Sequence, residues 1–225
     1  MSLRIRKLAD LVHPGLIPAD IGTDHGLLPI LLVEQGKAAK AYACDIAEGP
    51  LSQAAANIQS HGLEGKVIPI LSDGFANVPD DADAAILAGM GSYTAIRILE
   101  EAGSRLCAMK QIILQVNDDL FLMRSWLNQN GFAIRRELTL QDHGHFYTFI
   151  DFGAEAHRPY TERDLLCGPV EAVIDPAGFL TYAEHEIGRL TFVIGRRGGD
   201  PQAEQERAWF QEACEEIKKR IAECR

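Results

Sequence analysis

The sequence has no CxxC pair, and its five cysteines are an odd number. That pattern fits reduced thiols better than a disulfide framework or a zinc site. No apolar run approaches the roughly 18–20 residues needed to cross a bilayer. Arg4, Arg6 and Lys7 stand near the N-terminus, but no apolar core with a small-residue cleavage site follows them. A secretory leader is therefore not expected, and the cytoplasm is the expected compartment. Positive charge is also in short supply. A net charge of −10 argues against a chain that coats nucleic acid nonspecifically. Short basic clusters remain at Arg4/Arg6/Lys7, Arg135/Arg136, Arg196/Arg197 and Lys218/Lys219/Arg220.

What is present suits a globular protein. With 225 residues, 47% apolar and 24% charged, the chain can bury a substantial core. Short apolar runs at Leu16–Asp20, Lys40–Asp45, Lys66–Leu71, Asp83–Ala88 and Gln111–Val116 read as strands covered on both faces, as in a parallel sheet. Helical patterns lie between them, for instance Gly49–Gly62, which ends on a glycine stop. Two later runs, Phe132–Leu140 and His145–Phe152, flank a short turn and read as an antiparallel hairpin. The expected fold class is α/β: a seven-stranded, mostly parallel sheet closed by an antiparallel hairpin, the habit of Rossmann-like class I methyltransferases.

After about Arg158 the pattern changes. Leu180, Ala183, Ile187, Leu190 and Ile194 recur at alternating three- and four-residue spacing, and Phe210, Cys214, Ile217, Ile221 and Cys224 repeat it. Between the two seams lie a glycine turn, an N-cap at Asp200 and a proline at the first helical position. Residues 158–225 are expected to form an antiparallel, coiled-coil-like helical domain, and residues 1–157 the α/β domain. The helical part reads either as a packing appendage or as a substrate-gripping arm with Arg196 and Arg197 at its tip.

Ligands of open α/β sheets bind beyond the carboxyl ends of the strands. All five tips here are polar or glycine-rich: Asp20 to Gly26, Asp45, Ser72-Asp73-Gly74, Gly89 to Ser92, and Asn117-Asp118. Asp45 follows Asp20 at a spacing that suits hydrogen bonds to a ribose hydroxyl pair. The first loop is a poor cradle for pyrophosphate, because Asp20 and Asp24 would oppose its charge at a helix N-terminus. A ligand with an ammonium and a sulfonium would welcome both carboxylates. S-adenosylmethionine meets these demands, with its ribose on Asp45, its adenine near Asp73 and its amino-acid tail over Gly22–Gly26. The loop after the fourth strand reads Ala88-Gly89-Met90-Gly91-Ser92. It lacks the Asp/Asn-Pro-Pro-aromatic sequence that clamps exocyclic amines, so an endocyclic nitrogen acceptor suits it. Met90 offers a soft apolar surface for a flat base, and the glycines allow close backbone approach.

The segments ADIGTDHGLLPI, GPLSQAAAN, SDGF, ILAGMGS and ILQVN resemble, in order and spacing, the bacterial tRNA (adenine-N1)-methyltransferases that modify adenine 22. The resemblance spans about residues 3–225. It implies transfer of a methyl group from S-adenosylmethionine to N1 of an adenine in tRNA. It also implies that Gly22, Asp24 and His25 line the methionine end of the cofactor, with Asp45 at the ribose and Asp73 and Gly74 at the adenine; Asp20 and Thr23 are expected to bind the cofactor as well. Ala88, Gly89 and Met90 would floor the reaction site. Asp24, Met90 and Asn117 are the expected catalytic residues: Asp24 to balance the cationic product, Asn117 to fix the base edge. Arg4, Arg6, Lys7, Arg196 and Arg197 are the expected RNA contacts, and no metal is expected. The family commonly has Gly-Gly where Gly91-Ser92 stands here. Other readings stay open: a methyltransferase of a small molecule or protein, and a non-catalytic cofactor-binding regulator. An NAD-dependent oxidoreductase is disfavoured by the acidic first loop.

Overall fold

The computed structural model describes residues 2–223, apart from the side chain of Arg197. The chain opens with helix α1 (Leu3–Leu11), whose start is capped by the Ser2 side chain. Strands and helices then alternate: β1 (Pro18–Ile21), α2 (Leu27–Glu34), β2 (Ala41–Asp45), α3 (Glu48–Ser60), β3 (Val67–Leu71), β4 (Ala84–Met90), α4 (Ser92–Ala102) and α5 (Arg105–Ala108). Next come β5 (Gln111–Val116), α6 (Leu120–Gln129) and the long strands β6 (Ala133–Asp142) and β7 (His145–Gly153). The sheet has seven strands in the order β3-β2-β1-β4-β5-β7-β6. Strands β1 to β5 pair in parallel, and β7 runs antiparallel between β5 and β6. The order reverses between β1 and β4, which places the ligand crevice beside both.

The expected strands match the observed ones to within a few residues at each end. One difference bears on function: β4 continues through Gly89 to Met90 rather than ending at Ala88. Its register against β5 shifts between Ala88 and Met90, and Gly89 adopts φ +83° there. This is a bulge, which a glycine permits without strain. Central strands β1 and β5 are buried throughout, so their mostly apolar sequences reflect helices on both faces. One cluster, including Leu87, Ile112, Leu114, Leu99 and Met123, fills the α4/α6 side. A second, with Leu8, Leu28, Leu32, Ile86 and Ile113, fills the α1/α2 side.

The C-terminal part comprises α7 (Glu162–Cys167), a 3-10 turn (Val170–Ala172), α8 (Pro176–Arg197) and α9 (Pro201–Glu223). Helix α8 ends at Gly198 in the left-handed conformation, and the Asp200 carboxylate accepts the Ala203 N–H at 3.1 Å to start α9. The two helices pack on each other through Ala183, Leu190, Phe210, Cys214 and Ile217, a core separate from those of the sheet. The heptad position at Cys224 lies outside the described residues. Arg124 of α6, fully buried, ties the two parts together. Its guanidinium donates to the Glu137 carboxylate of β6 and to the Leu165 and Leu166 carbonyls of α7, at 3.0 and 2.8 Å. Among the described residues no helix is long and apolar enough to cross a membrane.

Candidate cofactor and methyl-acceptor site

The strand tips converge as their sequence requires. Asp20 sits inside β1 rather than in the loop, is 7% exposed, and accepts the Thr23 hydroxyl at 2.6 Å. Burial raises its pKa to about 6. Repulsion by Asp24 and Asp45 adds to that rise, while the Thr23 bond and the Arg4 charge oppose it. Gly22 follows at φ +79°, and a Cβ on it would stand 3.3 Å from the Met90 methyl. The left-handed turn and the bare α-carbon let Met90 close directly over the first loop. The loop ends at α2, where the His25 carbonyl accepts the Asn57 side-chain amide at 2.9 Å. His25 Nε2 lies 3.2 Å from Asp24 Oδ1, and both side chains are exposed.

Two cavities meet at Gly22 and Ala88. The larger, about 220 Å³, lies between the tips of β2, β3 and β4, with Asp45, Asp73, Gly74, Gly89 and Met90 on its walls. One oxygen of Asp45 accepts the Ala47 N–H at 2.8 Å. The smaller, about 30 Å³, is enclosed by Asp20, Asp24, Leu27 and the α1 residues Arg4 and Leu8. Thr23 lines neither cavity; it is buried against Asp20. A third cavity of about 520 Å³ lies between α6, α7 and α9, with Phe121, Trp209 and several carboxylates around it. It is roomier, but it is walled by helices and lacks a glycine turn at a strand tip. The crevice at the strand-order reversal is therefore the better cofactor site.

The β4 and β5 tips are tied into one floor. The Asn117 N–H donates to the Met90 carbonyl at 2.9 Å. Its side-chain amide donates to the Gly89 carbonyl at 2.7 Å and accepts from Gln115 at 3.1 Å. Asp118 accepts the Ser92 N–H at 2.7 Å, which caps α4. The Ser92 hydroxyl is buried without a partner.

Arg4 is placed differently from its expected role on an RNA-facing surface. Its guanidinium lies 3.5 Å from Gln115 Oε1 and 5.7 Å from the Tyr147 ring centre, turned toward the strand tips. A Cβ on Gly89 would stand 3.4 Å from it. Arg6 is exposed and Lys7 half-buried on α1. Arg196, at the far end of α8, is exposed and rests 5.1 Å over Phe192. The Arg197 side chain lies outside what the structure describes. The Arg135/Arg136 cluster serves the fold, since Arg136 engages the buried Asp151 and Arg135 engages Glu155.

Sequence reading missed Ile46, Thr94, Arg97 and Ile98, all on the wall of the 220 Å³ cavity. Arg97 meets Asp73 at 3.1 Å and Glu101 at 2.9 Å. Thr94, Arg97 and Ile98 do carry a signal. Their i, i+3, i+4 spacing on the helix that leaves the Gly89–Ser92 loop puts them on one face.

Comparisons with known proteins agree with this geometry. Residues 1–150 match the family model described as a methyltransferase domain. A Bacillus subtilis tRNA (adenine(22)-N(1))-methyltransferase is 32% identical over 151 residues, 67% of this chain and 63% of that protein. The aligned stretch thus spans less than two thirds of that relative's length. A Streptococcus pneumoniae structure, a putative tRNA (m1A22) methyltransferase in complex with S-adenosyl-L-methionine, superposes with a TM-score of 0.83 at 31% identity. That match covers 95% of this chain and 99% of the other. An M. capricolum structure in complex with the cofactor product S-adenosyl-homocysteine gives 0.76 at 28% identity, covering 99% and 98%. The chain belongs to the methyltransferase-domain family and, within it, to the group of tRNA (adenine(22)-N1)-methyltransferases.

Proposed function

We propose that this protein transfers a methyl group from S-adenosylmethionine to N1 of adenine 22 in tRNA, in the cytoplasm. The observation that carries the proposal is the glycine-and-carboxylate crevice at the sheet edge, floored by Met90. The residues present fit the cofactor. Asp45 has a carboxylate oxygen free for a ribose hydroxyl pair. Ile46 and Ile98 wall the same cavity as Asp73 and Gly74, which suits an adenine ring with a polar edge. Asp20, Asp24 and Arg4 enclose the smaller cavity, a donor set matched to an ammonium and a carboxylate. Gly22, Thr23 and His25 shape the loop between them, and Ala88 and Gly89 supply backbone at the junction.

When bound, S-adenosylmethionine supplies an electrophilic methyl group on a positively charged sulfur. The chain's own share of the work is orientation and charge balance. N1 of adenine already carries its lone pair in the ring plane, so no residue has to remove a proton before attack. Met90 presents an apolar face beneath the base. Asn117 holds the Gly89 and Met90 carbonyls in place and keeps one N–H for the base edge. Asp24 is exposed beside the first loop, where its carboxylate opposes the positive charge of the N1-methylated product. In this reading residues 1–157 carry the transfer. Residues 158–225 form an arm that grips tRNA with Arg196 and Arg197, while Arg6 and Lys7 meet phosphate from α1.

The test is incubation with labelled S-adenosylmethionine and unmodified tRNA, followed by nucleoside analysis. Label at N1 of adenine 22 is expected; label in protein, in a small molecule or nowhere overturns the reading. In the Asp24→Ala variant, cofactor binding should weaken but persist through Asp20 and Arg4, while transfer at saturating cofactor is lost. Loss of both would make Asp24 a cofactor ligand only.

A further inference from the structure

Four of the seven exposed large apolar side chains among the described residues lie at or just after strand ends on the edge that holds the site; the others are Leu3, Ile174 and Phe192. Among the described residues, Ile46 follows β2, Leu71 ends β3, Tyr93 follows β4 and Phe121 follows β5. Ile46 belongs to the cofactor cavity, and Leu71 lies on the edge strand. Tyr93 and Phe121 are not on the wall of the cofactor cavity; Phe121 stands at the edge of the 520 Å³ cavity beside α6. They are 76% and 43% exposed, and each is the second residue of its helix, α4 and α6. Side chains in a first helical turn lean toward the helix N-terminus. Both rings therefore overhang the tied loops that run from Gly89 to Ser92 and from Asn117 to Asp119.

Tyr93 also stands one turn before Arg97 on the same ridge of α4, and Arg97 lines the cofactor cavity. This places Tyr93 just outside the cavity wall, three residues after Met90 along the chain. The rim is acidic on balance: Asp24, Asp45, Asp73, Asp118 and Asp119 stand at the strand tips, against Arg4 and an Arg97 already engaged by Asp73 and Glu101. Phosphate is repelled from such a rim, so what an RNA offers there is the face of an unpaired base. Aromatic rings hold base faces without regard to charge.

From this geometry we infer that Tyr93 stacks on the target adenine and that Phe121 stacks on a base next to it in the RNA. The two rings hold the extruded nucleotide over Met90. Both contact substrate; neither exchanges a proton. The inference rests on the proposed tRNA reaction, and its test separates the two. Transfer of labelled methyl to unmodified tRNA by the unaltered protein is measured first, and its absence is a failure of the reaction itself. Given transfer, Tyr93→Ala should raise the KM for tRNA roughly 5- to 150-fold, equivalent to about 1–3 kcal/mol per stacked base. Its affinity for S-adenosylmethionine and its melting temperature should stay unchanged. Tyr93→Phe, which keeps the ring, should behave like the unaltered protein. A tRNA made abasic beside the target should bind the unaltered protein more weakly but bind Phe121→Ala no more weakly still. The inference is overturned if Tyr93→Ala keeps its tRNA KM within twofold, if Tyr93→Phe is equally impaired, or if cofactor affinity falls in proportion. Additive effects of Phe121→Ala and the abasic site overturn the part assigned to Phe121.

Discussion

Asp20 makes the cofactor's affinity depend on pH. With a pKa raised to about 6 by burial, it is roughly one-eleventh ionised at pH 5 and ten-elevenths ionised at pH 7. An ammonium group in the adjoining cavity pairs with the ionised form and pulls the pKa down on binding. Affinity for S-adenosylmethionine should therefore rise about tenfold, about 1.4 kcal/mol, between pH 5 and pH 7. Titration calorimetry across that range checks this, and near pH 6 it should register release of about half a proton. The same group acts on stability with the opposite sign. The folded state binds more protons than the unfolded one between an ordinary aspartate value of 3.8 and about 6. Cofactor-free stability thus falls as pH rises through that window, by an amount on the order of 3 kcal/mol, and then levels off. Asp20→Asn keeps the acceptor for Thr23 and abolishes the charge. It should melt higher than the unaltered protein above pH 7, bind the cofactor weakly, and show no pH dependence from 5 to 7. Flat affinity in the unaltered protein, or a lower melting temperature for Asp20→Asn at pH 7.5, would refute the reasoning.

Other outcomes follow from single contacts. Gly22→Ala imposes φ +79° on a residue with a Cβ and crowds Met90. It should cost about 1–2 kcal/mol in chemical denaturation and weaken cofactor binding more than tenfold. Arg4→Ala should weaken S-adenosylmethionine binding about 10- to 100-fold, as loss of a charged hydrogen-bonding partner does, while the salt dependence of tRNA binding stays unchanged; a shallower salt slope would return Arg4 to the RNA surface. Arg124→Ala leaves Glu137 buried without its partner and should lower stability by about 3–5 kcal/mol. Protease cleavage should then fall first around α7, which loses its carbonyl anchor.

Local pattern was sufficient for much of this molecule. A strand buried on both faces needs a mostly apolar run, and Gln111–Val116 is one, its two glutamines buried and hydrogen-bonded. An antiparallel helix pair needs apolar seams and a turn, and Leu180 to Ile221 supplies both. The placing of Asp20, Gly22, Asp45, Gly74 and Gly89 at strand tips around the crevice was legible, because chain turns at a parallel sheet's edge need polar groups and permissive backbone. These are demands that neighbours in the chain can satisfy by themselves.

What tertiary structure alone decided is which distant side chains share a space. Arg4 reads as part of a basic N-terminal cluster, yet the packing of α1 on the sheet turns it toward the strand tips. Arg135 and Arg136 read as another basic surface, yet Arg136 meets the buried Asp151 across the β6–β7 ladder and Arg135 meets Glu155 just past the end of β7. Thr23 is buried, and its hydroxyl donates to Asp20, a contact that the sequence does not announce. Sequence spacing fixes which residues share one face of one element. Which elements lie side by side depends on the strand order, and only that order makes Gly22, Met90 and Asn117 neighbours on the shared edge.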